Sequence, residues 1–194
     1  IGGTAVTTTA AELNLLDGLT EVIQGKSEGA NFSGGLLLGH ATHGTLSTAN
    51  NNTGVGITAL DAITSGDGNT AVGTLSGSAI NSGGWNTAVG KGALATLTTT
   101  NYNTALGYNA LNAVTGNWNT GLGRNSGFNI TSGDGNVMIG HVNADSATGD
   151  RQLKIAGYDG TTTTTWIDGD SSGNVIMPAD VTLGDDLVLD SDSC

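Results

Sequence analysis

Large and charged side chains are scarce in this chain. Aromatic residues make up 4% of the 194 residues and charged residues 11%, where an average globular protein carries ~25% charged. Such a chain cannot fill a wide globular core, and a structural protein is expected rather than an enzyme. Cysteine occurs once, at Cys194, so no intrachain disulfide can form. Lys and Arg number 5 against 17 Asp and Glu, a net charge of −12. That balance argues against binding nucleic acid or anionic membrane surfaces, both of which need clustered cations. No apolar run approaches the ~20 residues of a membrane helix, so no membrane insertion is expected. There is no signal-peptide pattern. A start at Ile1 and an acidic stop at 185–194 are what a fragment or a processed form would show.

What is abundant is Gly (33), Thr (29) and Asn (19). The Gly residues have no three-residue period, which excludes collagen. They belong instead to a longer repeat. Asn-Thr-Ala-Val-Gly stands at 69–73 and 86–90, with Leu for Val at 103–107 and Gly for Ala at 52–56 and 119–123. Degenerate copies at 35–39 and 136–140 extend the series to seven, at steps of 17 residues with a single step of 16. The closing residue is Gly in every copy, and the residue before it is always aliphatic: Leu38, Val55, Val72, Val89, Leu106, Leu122 and Ile139. A second aliphatic column follows at Leu46, Ile63, Ile80, Leu97, Val114 and Ile130, and a partial third at Leu60, Leu94 and Leu111.

A β-branched residue beside a Gly that never varies reads as a short strand stopped at a sharp turn. Thr and Val of the motif share one strand face, and Ala takes the other. The second aliphatic column predicts a second short strand. Two strands and two turns per 17 residues make one coil of a solenoid. Like columns then stack at about 4.8 Å, so that seven coils form a rod roughly 30–35 Å long. Both aliphatic columns are expected to line continuous dry seams. The Ala/Gly column is expected to let a partner chain approach closely. The fold class is therefore all-β, a β-solenoid or β-roll of about seven coils. Domain bounds follow at 1–34 (helix and linker), 35–143 (repeat roll) and 144–194 (acidic, β-rich).

The flanks differ. Thr9 and Glu12 fit a capping box, and Leu13, Leu16 and Leu19 follow at helical spacing, predicting a short helix over 10–16. It could pack on its own coil or meet its copies at an axis. Past Gly140 the repeat wording is lost. Strands are expected over 152–156, 161–167 and 174–177, with further strand-like pieces at 181–183 and 187–189.

The coil wording resembles the head-domain repeats of trimeric autotransporter adhesins, whose Ser/Asn-x-Ala-Ile/Val-Gly units form a β-roll with three chains side by side. It is more similar still to marine and cyanobacterial phage tail-fibre proteins, through Asn-Thr-Ala-Val-Gly-x-x-Ala-Leu at 86–94 and its variant at 103–111. The stretches at 11–20 and 166–175 also resemble recurring phage-fibre modules. The resemblance implies a side-by-side homotrimer in a virion tail fibre, acting as a rigid spacer with a role in host attachment. Its partners would be its own copies, other virion or fibre proteins and a host surface glycan. Two alternatives stand beside it. One is a bacterial trimeric adhesin or extracellular filament subunit, at the cell surface. The other is a monomeric solenoid binding ice or glycan through Thr rows such as Thr53, Thr70, Thr87, Thr104 and Thr120.

Few residues suggest chemistry. His40 and His43, with His141 at the repeat position of His40, invite a metal, but the spacing fits no standard site. The run from Asp168 to Gly173 resembles the start of a calcium loop yet lacks the glutamate at the twelfth place, where Ala179 stands. A tight turn accounts for it as well. No catalytic set, cofactor site or metal site emerges. Trp85, Tyr102 and Trp118 each precede the motif Asn in three successive coils. They are the candidate glycan contacts, with bracing of the coil corners as the competing role.

Overall fold

The computed structural model describes residues 35–38 and 46–177. The expected N-terminal helix, the linker before the roll, His40, His43, Gly39 and the strand-like pieces after 180 lie outside the described residues.

The described chain is an all-β solenoid without a helix. Seven three-residue strands repeat along it: β1 (Leu36–Leu38), β2 (Thr53–Val55), β3 (Thr70–Val72), β4 (Thr87–Val89), β5 (Thr104–Leu106), β6 (Thr120–Leu122) and β7 (Val137–Ile139). Each pairs with the next in parallel, in a register that sets like on like: Thr70 on Thr87, Ala71 on Ala88, Val72 on Val89. The repeat wording stops at Gly140, but the ladder goes on. β8 (Leu153–Tyr158) pairs with β7 in parallel and adds one more rung. The direction then reverses. β9 (Thr163–Gly169) and β10 (Val175–Ile176) continue the same ten-stranded sheet antiparallel.

Three expectations are corrected. Each coil carries one strand, not two. The second aliphatic column lies in the turn segment, because the backbone around it visits the left-handed region at Leu60, Leu94, Leu111 and Gly77, which a strand cannot do. Next, the Val column does not line the core. The middle residue of each strand points inward, so Ala71, Ala88 and Ala105 are fully buried, while Val72, Leu106 and Leu122 keep 39–46% of their surface. The seam that is dry is the second column: Ile63, Ile80, Leu97, Val114 and Ile130 are wholly buried. Finally, the Ala/Gly column faces the inside of its own coil rather than a partner. Larger inward residues, Leu37, Met138 and Lys154, stand only on the first and last parallel rungs, and between them leucines fill the space. A Cβ on Gly54 would lie 2.7 Å from Leu37 Cδ2, and one on Gly121 would lie 2.7 Å from Leu111 Cγ.

The third column shows how this narrow core is filled. Leu60, Leu94 and Leu111 alternate with Gly77 and Gly127 at the same left-handed position. The missing side chains are supplied from the coil before: a Cβ on Gly77 would meet Leu60 Cδ2 at 3.2 Å, and one on Gly127 would meet Leu111 Cδ2 at 2.7 Å. The closing Gly is required twice over. Gly73 has φ 127°, and a Cβ there would stand 2.8 Å from the Gly90 carbonyl carbon, so both backbone conformation and coil spacing exclude a side chain.

Candidate functional site

Two polar ladders hold the coil corners, and an aromatic row stands on them. The first ladder is the motif Asn. Asn52, Asn69, Asn86, Asn103, Asn119 and Asn136 are buried. The Oδ1 of each of the first five accepts the backbone N–H of the Asn one coil on, at 2.9–3.0 Å. It also accepts that residue's Nδ2. The same Nδ2 reaches across the coil to a backbone carbonyl, Gly83 for Asn69 and Gly133 for Asn119, at 2.9 Å. Gln152 ends the ladder. It takes the Asn136 Oδ1 in the same manner and extends to the Gly149 and Ser146 carbonyls. An amide is needed here because the site demands both an acceptor and a donor on one short side chain. The six recurring Asn were visible in the sequence, but nothing in a single sequence told a buried amide from a turn residue.

The second ladder lies two residues earlier. Oδ1 of Asp67, Asn101, Asn117 and Asp134 accepts the backbone N–H at the equivalent place one coil back, namely Asn50, Gly84, Asn101 and Asn117, at 2.6–3.0 Å.

Between the two ladders runs a column of left-handed residues: Asn51, Gly68, Trp85, Tyr102, Trp118, Gly135 and Arg151, with φ between 53° and 68°. Backbone bonds fix this conformation: the Trp85 N–H donates to the Asp67 carbonyl at 2.9 Å and that of Tyr102 to Gly84 at 3.2 Å. The structure thus brings the three candidate aromatics together. Trp85 and Tyr102 stack with centroids 5.3 Å apart and planes 10° apart; Tyr102 and Trp118 follow at 6.1 Å and 7°. They are exposed by 57%, 47% and 59% respectively.

The remaining candidates are dispersed. His141 packs edge-on against Tyr158 at a centroid distance of 4.3 Å. Among the described residues no group of three or more His, Cys, Asp or Glu could hold a metal. In the calcium-like run, Asp168 binds Lys154 at 3.0 Å. Asp170 accepts the Ser172 and Asn174 N–H groups and the Asn174 side-chain amide in a tight turn. The Asn174 bonds, side chain first, hold the Asp170 carboxyl below its usual range.

Lys154 escaped the sequence reading. It takes the inward place on β8 that Met138 takes on β7, and its ammonium bridges Asp145 at 2.7 Å and Asp168. Burial opposes that charge, but the two carboxylates outweigh it and raise the Lys154 pKa above the ordinary value. A cleft of about 290 Å³ beside this group is lined by Asp145, Asp150, Gln152, Asp168 and Asp170.

Comparison of the chain with protein-family models, with curated proteins and with solved structures finds no match.

Proposed function

We propose that the chain is a rigid segment of a virion tail fibre, assembled as a side-by-side homotrimer and serving as a spacer in host attachment. The observation that carries this reading is the outer face of β1–β7. Its Thr and Val columns form a straight row in which Leu36, Val72, Leu106 and Leu122 stay 39–46% exposed. An aliphatic column repeated on every rung is a larger apolar strip than isolated surface residues produce. A second copy of the chain laid alongside would cover it. The stacked coils supply the rod, and the buried Asn ladder resists shear between rungs. The repeat wording adds the resemblance to fibre proteins.

The test is the mass in native solution. A trimer of the 19.2 kDa chain is expected, and the double substitution L106E/L122E should release monomers with unchanged far-UV circular dichroism. A wild-type protein that stays monomeric at micromolar concentration would overturn the reading.

One observation favours a second reading, the ice-binding solenoid. Thr53, Thr70, Thr87, Thr104 and Thr120 share the outward face with the Val column instead of facing a core. Thermal hysteresis by a monomeric chain would select it.

A further inference from the structure

The aromatic row has a cost that contacts inside the chain repay only in part. Left-handed backbone is disfavoured for bulky side chains; elsewhere in this column Asn51, Gly68 and Gly135 accept it readily, and exposed Arg151 bears the same strain. The buried left-handed residues gain something from the fold, whereas Leu75, 44% exposed, does not. Leu60, Leu94 and Leu111 are strained too, but they are fully buried and fill the core. Trp85, Tyr102 and Trp118 are about half exposed. Their stacking returns only part of what full burial of three such rings would.

The stack is also an open one. Its centroid separations of 5.3 and 6.1 Å fall in the range of about 4.5–7 Å that offset pairs take rather than face-to-face sandwiches. Near-parallel rings at that separation are offset like shingles, each leaving part of its face uncovered. The row is bounded by glycines. Trp85 lies against Gly68, where a Cβ would meet its Cδ1 at 3.0 Å, and Gly135 follows Trp118. Beside the rings run Asp67 and Asn101. Their Oδ1 atoms are taken by the backbone, which leaves the Asn101 Nδ2 and the second Asp67 oxygen for a ligand.

We propose that Trp85, Tyr102 and Trp118 form a binding site for a neutral linear oligosaccharide, with about one sugar ring per coil. The C–H faces of a pyranose carry partial positive charge and pack on the negative face of an aromatic ring. The amide and carboxylate alongside suit sugar hydroxyls, as an apolar platform with a few polar groups generally does. Among the described coils up to residue 143 the charged residues are Asp61, Asp67, Asp134, Lys91 and Arg124, so no cluster of cations offers a hold to a polyanionic glycan or a nucleic-acid strand, which leaves neutral sugars. The inference does not rest on the fibre reading, since it needs no trimer.

The test is isothermal titration of the full chain with cellohexaose, maltohexaose, the hexamer of N-acetylglucosamine and a heparin-derived hexasaccharide. Saturation-transfer NMR on the sugar protons accompanies it. At least one neutral hexamer should bind with millimolar or tighter affinity, and its ring C–H protons should receive saturation from the indoles. The variant W85G/Y102G/W118G should weaken binding at least tenfold while keeping the far-UV spectrum, because Gly68 and Gly135 already hold this position. Y102G alone, which keeps both outer rings, should weaken binding several-fold and serves if the triple variant does not fold. Three results would overturn the proposal. No neutral hexamer binds; the heparin fragment alone binds; or Y102G and the triple variant bind as the wild type does. A fall in oligomer mass in the triple variant without sugar binding by the wild type would assign the row to a subunit contact instead.

Discussion

Replacing Asn86 by Ala removes the central rung of the buried amide ladder. Asn86 is 1% exposed. Its Oδ1 accepts the Asn103 N–H at 2.9 Å and the Asn103 Nδ2 at 3.2 Å. Its Nδ2 donates to Asn69 Oδ1 at 3.1 Å and to the Thr100 carbonyl at 2.9 Å. Some partners survive the change. Asn103 Nδ2 still reaches the Gly116 carbonyl, and Asn69 Oδ1 still accepts the residue 86 N–H. Two backbone groups do not: the Asn103 N–H and the Thr100 carbonyl are orphaned. An orphaned buried group costs about 1–3 kcal/mol; the Asn103 N–H is buried and the Thr100 carbonyl part-buried, so N86A should lose about 2–4 kcal/mol. At roughly 2–4 °C per kcal/mol for a chain of this size, the melting temperature should fall by about 4–16 °C. The assay is urea and thermal unfolding followed by circular dichroism, with N81A as the control. Asn81 is exposed and bonds only to Thr64 and the Ala62 carbonyl through its side chain, so N81A should cost within about 1 kcal/mol. N86D should be at least as harmful as N86A, since it buries a charge and sets a carboxylate oxygen against two acceptors, Asn69 Oδ1 and the Thr100 carbonyl. An N86A protein as stable as N81A would refute the ladder as a source of stability.

Further outcomes follow from the same geometry. G121A should destabilise by about 1–3 kcal/mol in urea unfolding, although Ala fills this place in three other coils. Its Cβ would lie 2.7 Å from Leu111 Cγ and 2.9 Å from Ser126 Oγ. Asp159 caps the β8–β9 turn by accepting the Thr162 and Thr161 N–H groups and the Thr161 hydroxyl, which lowers its pKa from 3.8 to about 2. Its contribution is therefore present above pH 3.8 and is lost as pH falls through about 2. Amide shifts of Thr161 and Thr162 followed by NMR should titrate with that low midpoint; a midpoint at an ordinary carboxyl value would refute the cap. The Lys154 contribution has the opposite sign. Its raised pKa makes the Asp145–Lys154–Asp168 bridge fully present below the unfolded lysine pKa and lost as pH rises through the raised one. K154M should abolish that alkaline transition in hydrogen exchange of β8 and β9.

Strand position and register were the most legible features of the sequence. The seven copies of the motif mark β1–β7, and equal spacing alone sets Thr70 on Thr87 and Val72 on Val89. The single step of 16 is absorbed at an exposed corner. Val114-Thr115-Gly116 is one residue shorter than the equivalent Leu97 to Thr100, and the Asn103–Asn119 bonds persist across it. The inside and outside of the strand were not legible. Period-two alternation says that Val and Ala face opposite ways, and hydrophobicity favours Val inside. The decision depends on coil width, which is set by left-handed residues such as Leu94 and Gly127 that no pattern of apolar residues reveals. The eighth rung was hidden because Gln152 replaces Asn, Lys154 replaces the inward small or apolar residue, and Arg151 takes the left-handed corner. The aromatic row was legible as a column, since Trp85, Tyr102 and Trp118 share one repeat position. That the rings stack and stay half exposed required the corner geometry.

A narrow interior in which residues one coil apart touch underlies every feature of the solenoid described above. Methyl–methyl NOEs on a selectively labelled chain measure this directly. Contacts should run Ile63–Ile80–Leu97–Val114–Ile130, at offsets of 16 or 17 residues along the buried column. Connections at any other offset, or strong line broadening of those methyls by a soluble paramagnetic probe while Val72 and Val89 are shielded within one chain, would contradict it.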